Sequence, residues 1–199
     1  MASLPTAGDH INFYKTNPDP KFKCDLAFVG GYWGYKATNI EKFLEPARKK
    51  FNMKIYGWGG WDNRSNGIIN DKDVKTLFSS AKIGPCIHEP HTSKYGIDIP
   101  ERVFKVPLCG LLAISDLSSS LHKYFPQHIM PMAQTPEEYV DLIDYFLKHE
   151  QERINIADKQ RRHILKYHTY LNRIQTIFMA LGFVNESIII QKEITKISA

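Results

Sequence analysis

The stretch Asp98-Ile-Pro-Glu-Arg-Val-Phe-Lys-Val-Pro-Leu-Cys-Gly110 runs directly into Leu111-Leu-Ala-Ile-Ser-Asp116. It reads as a helix over 100–109 with charge at its start, a glycine stop, and a short buried strand over 111–115. In open α/β sheets the loop before such a helix faces the ligand crevice, where free backbone N–H groups suit a phosphate. Pro107 removes a backbone donor and predicts a shortened or kinked last turn.

Upstream, Asp25-Leu-Ala-Phe-Val-Gly30, Met53-Lys-Ile-Tyr-Gly57 and Lys82-Ile-Gly-Pro-Cys-Ile-His88 are short apolar runs, each read as a strand. Between them, Asn39 is read as the cap of a helix with Ile40, Phe43, Leu44, Ala47 and Phe51 inward, kinked at Pro46. Asp71 is read as the cap of a second, with Val74, Leu77, Phe78 and Ala81 on one face. Downstream come a short helix near 117–125 and a brief strand around Ile129. Thr135-Pro-Glu-Glu138 is a capping box ahead of the apolar stripe Tyr139, Leu142, Ile143, Phe146 and Leu147. A last helical tract, 151–181, ends at Gly182 and breaks at His168-Thr-Tyr170, with Thr169 capping its second part. Strands alternating with helices of these lengths predict a Rossmann-like α/β domain over 25–183, a parallel sheet with helices on both faces. Residues 1–24 lack periodicity and carry the turn Asn17-Pro-Asp-Pro20, so they read as an arm or linker. Residues 184–199 form a C-terminal extension.

With 43% hydrophobic and 24% charged residues in 199, the composition is that of a soluble globular domain with no membrane span and no secretory signal. The net charge of +5 suits an anionic ligand. The basic residues are scattered, apart from Arg48-Lys49-Lys50 and Arg161-Arg162-His163, which read as solvated helix faces; no nucleic-acid partner is expected. Cys24, Cys86 and Cys109 form no CxxC pair, which favours reduced thiols and a cytoplasmic setting.

Gly30-Gly-Tyr-Trp-Gly34 stands where the first strand meets the first helix, so Gly30 and Gly31 would let phosphates approach the backbone; a tight turn with no ligand is the alternative. The spacing is not GxGxxG, and no acid ends the second strand, which counts against NAD. Lys36, just beyond, is either a point charge for a diphosphate or a solvated lysine. Tyr56, Trp58 and Trp61 among glycines either stack a nucleobase or pack under the loop, with packing favoured. Cys86, His88 and His91 lack a spaced fourth ligand, so no metal is expected. His88 either hydrogen-bonds a phosphate or sugar hydroxyl or is an ordinary loop histidine. Arg102 has the planar fork for a phosphate, while Asp98 and Glu101 either accept from sugar hydroxyls or cap the helix.

In order along the chain, the strand at 25–30, Lys54-Ile-Tyr-Gly57, Ala81-Lys-Ile-Gly84 with His88, Arg102-Val-Phe104 with Cys109-Gly110, and His168-Thr-Tyr170 with Arg173 resemble the CgeB-like group 1 glycosyltransferases. The resemblance implies a GT-B architecture of two Rossmann-like domains, of which this chain matches the C-terminal half that binds the nucleotide-sugar donor. It implies that Gly30 and Lys36 face the diphosphate, that His88 and Arg102 line the same crevice, and that no metal or other cofactor is needed. Two departures stand out. The family's usual ribose-holding glutamate after Arg-x-Phe is Lys105 here, a donor without acceptor capacity. The acceptor half is missing, which implies a truncated form, a split gene product with a partner or self-association, or a minimal binding module. A non-catalytic nucleotide-binding module is thus the alternative to a donor domain, and a ligand-free interaction domain the third reading.

Overall fold

The computed structural model describes residues 4–96 and 98–198. Five parallel strands, β1 (Cys24–Val29), β2 (Met53–Tyr56), β3 (Ala81–Cys86), β4 (Leu112–Asp116) and β5 (Met132–Ala133), form one sheet in the order β2-β1-β3-β4-β5. The order reverses between β1 and β3, and the crevice beyond their carboxyl ends is where an open α/β sheet takes its ligand.

Alternating side chains bury both faces of this sheet. Leu26 and Phe28, Ile83, and Leu112 and Ile114 point to one side. There they meet a helical run made of α1 (Gly34–Asn39), a π-type turn (Ile40–Leu44) and α2 (Glu45–Lys50), together with α6 (Pro136–Lys148). Ala27, Cys86 and Ala113 belong to the opposite core, with α3 (Asp71–Ser80), α5 (Arg102–Leu108) and α7 (Glu150–Tyr167). The short α4 (Pro90–Tyr95) follows β3, and the C-terminal hairpin is α8 (Tyr170–Ala180) and α9 (Val184–Ser198). Helices on both faces of a parallel sheet are the architecture expected from the sequence.

Several local expectations are corrected. The first helix starts at Gly34, five residues before Asn39, whose side chain instead donates to the His88 carbonyl at 2.9 Å. At Pro46 the irregularity takes the form of a π-type turn just ahead of it, which leaves the proline in the first turn of α2, where its missing donor costs least. Asn70, not Asp71, occupies the cap position of α3. The 100–109 helix is shorter, Arg102–Leu108, and its end tightens through Gly110 N–H donating to Pro107 at 2.9 Å. Only a single tight turn, Leu121–Lys123, forms in 117–125, and the last strand lies at Met132–Ala133 rather than around Ile129. β4 receives a partner no periodicity announces: buried Gln160 of α7 bonds both the N–H and the carbonyl of Ala113, at 2.9 and 3.0 Å.

The capping box at Thr135 forms, and the last tract breaks at His168 with Thr169 at the cap of α8. There the Asn172 amide oxygen accepts from the Thr169 N–H and hydroxyl, at 2.8 and 2.7 Å. The N-terminal segment is packed onto this joint: Gly8 donates to the His168 carbonyl at 2.7 Å, and Arg173 reaches the carbonyls of Pro5 and Thr6. The C-terminal extension is the helix α9.

Candidate functional site

β1 ends in Val29 and Gly30, and the chain must turn there without blocking the crevice. The 30–34 loop is zipped to the loop after β2: Tyr32 N–H donates to Trp58 at 2.9 Å, and Gly60 N–H donates to Tyr32 at 3.0 Å. Gly59 makes this possible with φ of 96°, since a Cβ there would stand 2.0 Å from the Tyr32 carbonyl oxygen. The Tyr32 hydroxyl and Arg64 both bond Glu41, each at 2.6 Å, which ties the loop to the helical run.

The aromatic cluster divides. Trp61 is buried, and its indole N–H donates to the Gly30 carbonyl at 2.9 Å. Tyr56 packs edge-on against Phe22. Trp58 stays 64% exposed and stacks on Trp33 with ring centroids 5.2 Å apart, beside Gly31. Packing, the favoured reading, describes two rings; the third keeps a face in solvent.

Arg102 enters the crevice from the start of α5. Its guanidinium bridges the two strands at the switch point, donating to Val29 at 2.9 Å and Ile87 at 3.4 Å, and lies 4.2 Å above the Phe28 ring. Among the described residues, no carboxylate stands within ion-pair distance of it. Burial disfavours its charge and lowers its pKa. A Cβ at Gly30 would lie 2.5 Å from the Arg102 Nη2, so a side chain there would displace the guanidinium from its present position.

Lys36, in the first turn of α1, is buried, with Nζ 3.8 Å from Glu89 and 4.6 Å from the Trp33 ring centroid. Burial, then the positive charge of Arg102, depress its pKa to about 8, against the opposing pull of Glu89. Gly30, Lys36 and Arg102 therefore come together as a site with two cations and one nearby carboxylate.

The remaining candidates are placed differently. His88 lies fully buried at the end of β3, its Nδ1 2.7 Å from Asp116 Oδ1 at the end of β4, and its Nε2 has no hydrogen-bond partner among the described residues. Asp98 is on the exposed rim, 3.4 Å from His91. Glu101 makes no cap bond and pairs with Lys105 at 3.0 Å. Lys105 also lies 4.2 Å above the Phe13 ring of the N-terminal segment. Glu101, Arg102 and Lys105 line a cavity of about 250 Å³ with Asp71, so an acid reaches this cavity from α3 where the sequence pattern offers a lysine. Cys86 and His91 do not converge with His88: the Cys86 thiol, pushed up to about 12 by burial, contacts the Gly84 carbonyl, while His91 faces Glu89 and Asp98. Among the described residues no three His, Cys, Asp or Glu side chains form a metal site, and no helix is long and apolar enough to cross a membrane.

Sequence reasoning missed Glu89, Asn39 as a crevice residue, and Asp116. The signal for Asp116 was present: it closes a buried strand whose register pairs Cys86 with Ser115, which brings Asp116 beside the residues that follow β3.

The comparisons with known proteins agree with this architecture. A sequence profile described as "Glycosyl transferase-like" matches residues 36–179, well over half of the chain. No curated protein sequence matches it. Among solved structures, T4 phage BGT in complex with its UDP-glucose substrate superposes with a TM-score of 0.64 at 13% identity, covering 93% of this chain and 51% of that one. An alpha1,3-fucosyltransferase with GDP-fucose gives 0.57 at 16% identity, covering 72% and 40%. The C-terminal domain of a glycosyl transferase group 1 family protein (LpcC) from Francisella tularensis gives 0.57 at 10% identity, covering 78% and 95%. The chain thus spans about half or less of the first two proteins and nearly all of an isolated C-terminal domain. The fold is a Rossmann-like half-domain of GT-B type, and the chain belongs to the glycosyl transferase-like family.

Proposed function

We propose that this chain is the donor-binding half of a glycosyltransferase, within the CgeB-like group, which takes a sugar from a nucleotide diphosphate for an acceptor of unknown chemistry. The observation that carries this reading is Arg102, a partly buried guanidinium at the switch point whose bonds go to the carbonyls of Val29 and Ile87, with Lys36 beside it. A diphosphate supplies the negative charge that carbonyl dipoles only partly provide. As the sugar leaves, charge grows on the departing diphosphate, and two preorganised cations stabilise it without a metal ion. No other cofactor enters this scheme. The acceptor half belongs to another segment or chain, and the setting is cytoplasmic.

The pairing of Lys105 with Glu101 at 3.0 Å favours a second reading, a nucleotide-binding module that does not itself transfer sugar, because the usual ribose acceptor is replaced by a neutralised lysine. Calorimetric titration with UDP, GDP, dTDP, CDP, their sugar conjugates, and NAD tests both. Selective binding of one nucleoside diphosphate and its sugars is the expected result. Silence across the panel from a folded sample overturns the donor site. Lys105→Glu separates the two readings: tighter nucleotide binding marks the lysine as a loss, and weaker binding marks it as a contact.

A further inference from the structure

The strands β1, β3 and β4 begin at Cys24, Ala81 and Leu112, and these three residues line a cavity of about 590 Å³. It lies at the edge of the sheet opposite the Arg102 crevice, which stands at the carboxyl ends of the same strands. Ile154 and Ala157 extend the apolar surface from α7, and with Glu150 and Arg153 they follow the spacing of a single helix face. The N-terminal segment supplies the facing wall, from Lys15 to Lys23. That segment is latched to the end of α3. The Ser79 hydroxyl oxygen accepts from the Thr16 N–H at 2.9 Å, and the Ser80 hydroxyl oxygen accepts from the Asp19 N–H at 2.8 Å.

Four cations surround this apolar floor: Lys15, Lys23, Lys82 and Arg153. Two of them have acids at hand, Lys82 with Asp25 at 2.7 Å and the buried Arg153 with Glu150 at 3.2 Å. Arg153 also donates to the Phe146 carbonyl at 3.0 Å, which fixes its guanidinium. Lys15 and Lys23 pair with no carboxylate among the described residues. On the rim, Asp19 directs its Oδ1 to the Lys21 N–H at 2.8 Å. Unpaired ammonium groups around a poorly hydrated floor create a positive potential that an anion relieves. The floor in turn favours a ligand with a carbon body, and the volume is that of a small-molecule site. Inorganic phosphate would leave the floor in water, and a neutral ring would leave the lysines unmatched.

We propose that this cavity at the amino ends of the strands is a second binding site, for a small organic anion with an apolar body, an aryl or alkyl phosphate or carboxylate. Its acid group meets Lys15 and Lys23, and its body covers Leu112, Ile154 and Ala157. Calorimetry at neutral pH with 1-naphthyl phosphate, 1-naphthoate, 1-naphthol and inorganic phosphate tests this. At least one naphthyl anion should saturate the chain below about 1 mM, and the better of the two names the acid group. Naphthol and inorganic phosphate should bind at least about tenfold more weakly, the weight of a charged contact or of a buried ring. Lys23→Glu and Ile154→Asp, one from each half of the match, should each weaken the naphthyl anion about tenfold or more, while Arg102→Ala leaves it unchanged. Thermal melts without ligand check that all three variants remain folded. Absence of saturation, equal affinity for naphthol, undiminished binding by both cavity variants, or loss of binding in Arg102→Ala each overturns the proposal. None of these outcomes touches the donor reading, because nucleoside diphosphate binding at Arg102 should be the same in Lys23→Glu and Ile154→Asp as in the unmodified chain.

Discussion

Arg102 holds a charge that the protein has partly withdrawn from water and matched with carbonyl dipoles rather than a carboxylate. Such a cation gains from an incoming anion. Replacing it in Arg102→Ala should weaken nucleoside diphosphate binding by about 1.5–3 kcal/mol, as for a charged hydrogen bond; calorimetry showing unchanged affinity in a folded variant removes Arg102 from the site. Lys36 adds a pH signature. With its pKa near 8 in the free chain, a bound diphosphate stabilises the protonated form and binding takes up a proton. Affinity should fall as the pH rises from 7 to 9, and titrations in buffers of different ionisation enthalpy should reveal the uptake. A flat profile removes Lys36 from the ligand. Folding responds with the opposite sign. Between pH 8 and 10.5 the unfolded lysine keeps a proton that the folded one lacks, so this group favours folding more as the pH rises through that window. Gly30, Lys36 and Arg102 were legible in the sequence because residue type and strand-end position suffice for them. The placing of Asp116 and Asn39 at the crevice was not, because it depends on β4 lying beside β3 and on where α1 begins.

The joint between α7 and α8 behaves as a unit with the N-terminal segment. His168 Nε2 lies 2.8 Å from the Tyr124 carbonyl, and its Nδ1 faces Arg173 at 3.5 Å, an arrangement that suits the neutral ring. Burial first, then the charges of His163 and Arg173, lower its pKa to about 4. Unfolded histidine binds a proton at 6.5, so between pH 6.5 and 4 the unfolded chain holds a proton the folded chain does not, and stability falls as the pH drops through that window. Urea midpoints measured from pH 7 to 4 should show this slope, and His168→Gln should flatten it; an unaltered slope assigns the acid sensitivity elsewhere. The β3–α5 contact is equally specific. A Cβ on Gly84 would meet Val106 Cγ1 at 2.3 Å, so Gly84→Ala should cost about 1–3 kcal/mol in denaturant unfolding as an overpacked core does. Elements with long periodic patterns, such as α6 and the α7–α8 break, were readable in the sequence. The helical start at Gly34 was not, because the bracing by Glu41, Arg64 and the 57–61 loop comes from residues distant in sequence.

At the scale of the molecule, a half-domain presents its crevice to solvent. In an open cleft water competes with every charged contact, and on the proposed donor-half reading the acceptor is held by residues outside this half-domain. The chain alone should therefore bind a nucleotide sugar without transferring it, which a radiolabelled-sugar release assay can check. Turnover by this chain alone at rates typical of an enzyme would show that the acceptor site lies within it. Tyr170, Ile174 and Ile177 on α8, with Leu181 at its C-terminal cap, leave an apolar stripe exposed.

The sequence by itself determined the alternation of strands and helices, the two-sided sheet, the capping box at Thr135 and the break at Thr169. Each rests on local periodicity or on bonds within a few residues, which the chain carries wherever it folds. The tertiary structure alone decided the sheet order, the placing of Arg102 across the ends of β1 and β3, the pairing of His88 with Asp116, and the use of Gln160 to complete β4. Those contacts join residues 15 to 73 positions apart, and partners at that range are chosen by packing the two cores against the sheet.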